Sequence, residues 1–169
     1  MPPAAPIALV GLPGAGKTTI GALLARRLAL PFYDSDADIE RETGETIARL
    51  FATHGEPHFR ALERRTIDRL LEPAPLILAT GGGAMTHAAT RRILLARATT
   101  IWLDAPPHIL AARLRGAPNR PLLAGADLLV TLTTLAARRR PHYRKANHRV
   151  DADATPESVT ARVLALIRP

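Results

Sequence analysis

Short runs of consecutive apolar residues recur along the chain, and stretches with helix-spaced apolar residues fill the intervals. Ile7-Ala8-Leu9-Val10, Leu76-Ile77-Leu78-Ala79 and the segment from Thr99 to Leu103 read as buried strands, and the first two run into glycine. Phe32-Tyr33, ending at Asp34, is a shorter strand, and a last one is placed around Arg149-Val150. Ile20, Leu23, Leu24 and Leu28 lie on one helical face before Pro31. Ile47, Leu50 and Phe51 mark a helix closed by Gly55, and Phe59, Leu62, Thr66, Ile67 and Leu70 a longer one that stops before Pro73. Further helices are expected through Ile93-Leu94, after Pro106-Pro107, through Leu128, Leu132 and Leu135 to about residue 137, and from Thr155-Pro156. There threonine would cap and proline would take the first helical position. Short apolar strands separated by helices predict an α/β fold, a parallel sheet covered on both faces in three layers.

The 169 residues suit one domain, 1–169, able to bury a core without covalent staples. The absence of cysteine excludes disulfides, thiolate metal sites and cysteine nucleophiles. No apolar run reaches the roughly 18 residues of a membrane span, and aromatics at 4% leave little for stacking on nucleic-acid bases. A soluble, cytoplasmic chain with neither a membrane nor a nucleic-acid partner is therefore expected, and a monomer. The net charge of +8 points to anionic ligands in general. Because only Lys17 and Lys145 of the 23 basic residues are lysines, leaving 21 arginines, the excess mostly reflects composition. Each arginine has to be argued singly.

Gly11-Leu12-Pro13-Gly14-Ala15-Gly16-Lys17-Thr18 fits G-x-x-x-x-G-K-[ST], with a strand before it and a helix after it. Glycines let successive main-chain N–H groups converge on a phosphate at a helix N-terminus. Lys17 would neutralise β and γ oxygens, and the Thr18 hydroxyl would take a Mg²⁺ position. With so few lysines, one in register is informative. The motif predicts a nucleoside triphosphate with Mg²⁺, and leaves the second substrate to other residues.

Asp34-Ser35-Asp36 follows a strand, so its carboxylates stand at the sheet edge that carries the loop. In an extended stretch the two aspartates point to opposite sides, one to a metal and one to an acceptor hydroxyl. A helix cap is the other reading of the same spacing. Gly81-Gly82-Gly83 also ends a strand and either admits a ligand to the main chain or forms a plain loop. Arg60, with Glu63 one helical turn on to orient it, and Arg139, within Arg138-Arg139-Arg140, are surface charges or parts of an anion site. Arg115 to Gly125, RGAPNRPLLAG, reads as a mobile loop whose Arg120 could reach the phosphates.

Together these motifs resemble the shikimate kinase family of phosphate-loop enzymes, over nearly the whole chain. The resemblance rests on GLPGAGKTTIG at 11–21, FYDSDADIE at 32–40, GEPHFRALE at 55–63, ATGGGA at 79–84, RPLL at 120–123, RRRPHY at 138–143 and RVD at 149–151. It implies transfer of the γ-phosphoryl group of MgATP to the 3-hydroxyl of shikimate, within the shikimate pathway of aromatic amino-acid biosynthesis. It also implies a five-stranded parallel sheet of order 2-3-1-4-5, a substrate-binding segment near 35–62 and a lid near 114–124. By position, Gly14, Ala15, Gly16, Lys17, Thr18 and Thr19 match the ATP loop, with Thr18 a Mg²⁺ ligand and Asp34 near the metal. Asp36 matches the residue that grips shikimate's hydroxyls and is the best candidate to receive the proton, and Arg60 and Arg139 match the pair on its carboxylate. Gly82, with Gly81 beside it, matches a main-chain contact to shikimate, and Arg120 the lid arginine on the phosphates. Arg113 and Pro156 match the residues that sandwich adenine. Arg140 departs from the family, which often has asparagine there. Two rivals stand beside this reading: a gluconokinase-like sugar-acid kinase and a nucleotide-dependent regulatory or nucleic-acid-binding ATPase.

Overall fold

The computed structural model of the chain describes residues 3–72, 75–115 and 127–167. Five strands, β1 (Ile7–Val10), β2 (Phe32–Asp34), β3 (Ile77–Ala79), β4 (Thr99–Asp104) and β5 (His148–Asp151), form one sheet of order β2-β3-β1-β4-β5, every pair parallel. Central β1 aligns Ile7 with Ile77 on one side and with Thr99 on the other. All four of its residues and all three of β3 are buried, as a strand covered on both faces requires.

Among the described residues the helices are α1 (Lys17–Leu28), α2 (Ser35–Thr43), α3 (Ile47–His54), α4 (Glu56–Leu70), α5 (Ala88–Arg97), α6 (Pro107–Arg115), α7 (Leu128–Tyr143) and α8 (Pro156–Ile167). A 3₁₀ turn spans Ala84–Thr86. Helix α1 packs on α8, while α4, α5 and α7 gather around the 3₁₀ turn. Thr155 caps α8 as its sequence predicts, its hydroxyl accepting from the Ser158 N–H at 3.3 Å. The main core runs through the sheet, but Ile39, Leu50 and Phe59 form a second small cluster, with Ile47, Phe51 and Leu62 against it. Helices α2, α3 and the start of α4 therefore carry their own apolar centre. Asp38, almost fully buried, ties α2 to α4 by accepting from Arg69 at 2.5 Å and pairing with Arg41.

One element settles a choice that the sequence left open, and one differs from expectation. Helix α2 realises the helix-cap reading of Asp34-Ser35-Asp36, the alternative to an extended stretch, although SDADIERET has Ile39 as its one strong apolar residue. Its ends are fixed instead by chemistry at the termini: Asp34 caps the start, and Gly44 at φ +70° closes it. Helix α7 does not stop near residue 137 but continues through the arginine run to Tyr143, with Pro141 inside it. Packing of Tyr143 in the core holds the last turn despite the proline. The lid near 114–124 falls largely outside the described residues, and Arg120 lies wholly outside them.

Candidate active site

Three connections meet at the carboxyl edge of the sheet: the loop after β1, the β2–α2 junction and the glycine run after β3. Gly14 and Gly16 adopt φ of +83° and +93°, left-handed conformations that a side chain would strain. Helix α1 then starts with no side-chain cap and no acidic residue in its first turn. Its N–H groups and positive dipole end are left to an anion. Lys17 curls over the loop, its Nζ donating to the Gly11 and Leu12 carbonyls at 2.9 Å each. Ala15 is buried beneath the loop, and Thr18 and Thr19 are exposed on the first turn of α1.

Asp34 does two jobs at once. One oxygen, Oδ1, accepts from the N–H groups of Asp36 at 3.1 Å and Ala37 at 3.3 Å, which is the helix cap. The other, Oδ2, accepts from Thr18 Oγ1 at 2.7 Å, which places a carboxylate beside the loop hydroxyl. The two aspartates are thus not both on an extended strand. The strand ends at Asp34, and Asp36 turns inward on the first turn of α2.

The run Gly81-Gly82-Gly83 is the floor of the site, and steric crowding explains it. A Cβ on Gly81 would stand 2.7 Å from Asp36 Oδ1 and 2.8 Å from Glu63 Oε1. On Gly82 it would meet Arg139 Nη1 at 3.0 Å, and on Gly83 it would meet Arg60 Nη1 at 2.7 Å and its Cζ at 2.8 Å. Four side chains from α2, α4 and α7 converge where three Cβ atoms are missing. Arg60 donates to the fully buried Glu63 at 2.8 Å and to Glu56 at 3.2 Å, with the Phe59 and Phe51 rings 5.2 and 5.9 Å from its Cζ. Glu63 is the orienting partner that its spacing suggested. Of Arg138, Arg139 and Arg140, the middle one alone is partly buried; the outer two are exposed.

The electrostatics are strained in one direction. Burial, with the Asp34 charge behind it, pushes the Asp36 carboxyl up to about 6 despite Lys17 and Arg60 nearby. Glu63 is also raised by burial, against the pull of Arg60. Asp36 Oδ1 and Glu63 Oε1 are buried and accept no hydrogen bond among the described residues. Buried acceptors without donors are costly, and these two face the space above Gly81.

At the far end of the loop, Arg113 donates to Gly14 O at 3.3 Å, Ala152 O at 2.7 Å and Ala154 O at 3.3 Å. These bonds fix the guanidinium plane between the phosphate loop and the turn before Pro156, the exposed first residue of α8. Sequence reasoning passed over Ser35, whose buried Oγ accepts from Gly81 N at 3.2 Å, and Tyr143, whose hydroxyl donates to Gly82 O at 2.5 Å. Both lay inside motifs already singled out, Ser35 in Asp34-Ser35-Asp36 and Tyr143 at the end of RRRPHY, one helical turn beyond Arg139.

A sequence profile described as "Shikimate kinase" matches residues 13–168. The chain belongs to the shikimate kinase family. A shikimate kinase of Nitrobacter winogradskyi is 49% identical over 150 residues, 89% of this chain and 70% of the relative. One from Caulobacter vibrioides is 44% identical over 158 residues, 94% and 79% of the two chains. The solved shikimate kinase of Acinetobacter baumannii in complex with shikimate superposes with a TM-score of 0.92 at 38% identity, covering 97% of this chain and 93% of that one. A gluconokinase of Sinorhizobium meliloti, at 16% identity and a TM-score of 0.64, shares the fold alone. Membership of the shikimate kinase family makes this chain an ATP-dependent kinase. No helix among the described residues is long and apolar enough to cross a membrane.

Proposed function

We propose that this site transfers the γ-phosphoryl group of MgATP to the 3-hydroxyl of shikimate, giving shikimate 3-phosphate and ADP on the route to aromatic amino acids. The observation that carries the reading is the convergence of Asp36, Glu63, Arg60 and Arg139 on the glycine floor beside the Lys17 loop. A small acid with hydroxyls suits that floor: guanidinium groups for its carboxylate, buried carboxyl oxygens for its hydroxyls, and the main chain of Gly81 and Gly82 beneath. The Acinetobacter relative, solved with shikimate, supports the same acceptor.

Phosphoryl transfer needs positioning and charge neutralisation more than covalent chemistry. Arg60 and Arg139 would hold the substrate carboxylate in planar, bidentate contacts that lysine cannot reproduce. Asp36 would accept hydrogen bonds from the ring hydroxyls and align the attacking oxygen. As the oxygen–phosphorus bond forms and the β–γ bridge breaks, the hydroxyl proton passes to Asp36, whose raised pKa brings it nearer that task. Lys17 and the uncapped start of α1 hold the phosphates, and Arg113 with Pro156 would enclose the adenine. Thr18 and Asp34 supply adjacent hydroxyl and carboxylate oxygens, a hard donor set that fits Mg²⁺. When bound, that ion offsets charge on the β and γ oxygens. The reading takes the enzyme as a monomer, with 35–62 as its substrate-binding segment.

ADP release in a coupled assay tests the reading. Enzyme and MgATP should turn over on addition of shikimate and not of gluconate. Turnover with gluconate alone, or with neither acid, would overturn it.

A further inference from the structure

The last turn of α7 carries Arg139 but is poorly held by its own backbone. Pro141 has no N–H to give the Ala137 carbonyl, so one rung of the helix is missing beside the arginine. Something outside the helix has to fix that turn. On its outer side Arg140 donates to Asp104 Oδ2 at 3.0 Å. On its inner side stands Tyr143, four residues beyond Arg139 and on the same helical face.

Tyr143 is 1% exposed, and its ring stacks on Trp102 with centroids 5.8 Å apart and planes at 28°. Its hydroxyl donates to the Gly82 carbonyl at 2.5 Å, the same residue whose Cβ would crowd Arg139 Nη1 at 3.0 Å. The hydroxyl is also faced by the Arg139 guanidinium. Tyr143 and Arg139 therefore both border Gly82, one at its carbonyl and the other over its Cα, at the wall of the pocket. Burial pushes the phenol up to about 12, so its O–H is available to Gly82 at every working pH.

We propose that Tyr143 is a positioning residue for substrate binding: its hydroxyl locks the Gly82 peptide and the α7 turn in register, and so aims Arg139 at the acceptor's carboxylate. This rests on Arg139 being one arm of the carboxylate clamp. In this role Tyr143 would act through its two neighbours and not by contact with substrate or phosphate. The ring's packing on Trp102 and the hydroxyl's link to Gly82 are separable, because phenylalanine keeps the first and deletes the second.

The experiment is Tyr143→Phe, read by isothermal titration and steady-state kinetics with shikimate and MgATP. Shikimate Kd and KM should rise about tenfold, the scale of one lost hydrogen bond in a charged array, while the KM for ATP and kcat stay within about twofold. In an Arg139→Lys background the same substitution should change shikimate affinity by less than about twofold, since the residue it positions is already gone. Unchanged shikimate affinity in Tyr143→Phe, equal losses for both substrates, or full additivity with Arg139→Lys would overturn the proposal. So would a variant that does not fold, because the hydroxyl would then serve stability and not aim. If Arg139→Lys alone leaves shikimate affinity untouched, the clamp itself is wrong, an outcome distinct from a failure of Tyr143 alone.

Discussion

Replacing Asp36 by asparagine should remove the chemistry and strengthen the fold. The folded carboxyl titrates at about 6 against an ordinary 3.8, because burial and Asp34 disfavour its charge. Between those values the folded chain holds the proton more tightly than the unfolded chain, so stability falls as pH rises through that window and stays low above it. At about 1.4 kcal/mol per unit, keeping Asp36 ionised at pH 8 costs the fold about 3 kcal/mol. Asparagine has the same shape and carries no charge. Asp36→Asn should then be more stable than the parent by about 3 kcal/mol at pH 8, or about 6–12 °C in Tm for a chain of this size. At pH 4 the parent is largely protonated, and the gap should shrink to roughly 0.5 kcal/mol. Urea melts of both proteins at the two pH values measure it, and the coupled assay should show shikimate phosphorylation abolished in the same variant. A variant no more stable than the parent at pH 8, or a gap that ignores pH, would refute the account of Asp36 as a charge held at a cost for function.

Other outcomes follow from the same geometry. In the parent enzyme kcat/KM should fall as pH drops through about 6, where Asp36 takes up its proton, and a profile flat to pH 4.5 would contradict its role as acceptor. Lys17→Ala should reduce turnover to background while the melting curve keeps its shape; near-normal activity would refute the loop assignment. Arg60→Lys should weaken shikimate binding by about 2 kcal/mol, near thirtyfold, leaving the KM for ATP within twofold, since lysine cannot bridge a carboxylate and Glu63 together. Gly83→Ala places a methyl against an Arg60 guanidinium that Glu63 anchors at 2.8 Å, so shikimate KM should rise at least tenfold. An unchanged KM there would mean that the guanidinium is not held.

Much of this site could be read before any coordinates. The phosphate loop is a local device: its glycines, Lys17 and the strand and helix around it are consecutive, so residue order alone sets the geometry. The strand order needed more, namely the resemblance carried by motifs spread from 11 to 151, since alternating strands and helices fit several windings. Helix α2 stood only as the helix-cap alternative at Asp34, because a cap and a terminal glycine define it rather than an apolar period. The extent of α7 escaped for the opposite reason, a proline that local rules treat as a break and that packing of Tyr143 overrides.

By itself, then, the sequence determined a parallel α/β sheet with a phosphate cradle after its first strand, together with the residue types of an acid-binding pocket. The resemblance had already picked Arg60 and Arg139 out of 21 arginines; the tertiary structure alone decided how their guanidinium groups are held and which carboxylates lose their water. Arg60 and Arg139 stand apart from Arg138 and Arg140 because helix packing turns them over three glycines. Asp36 and Glu63 become unusual acids only because elements distant in sequence close over them. Burial and charge proximity are properties of assembled surfaces, and a linear order of residues does not contain them until the sheet edge brings its loops together.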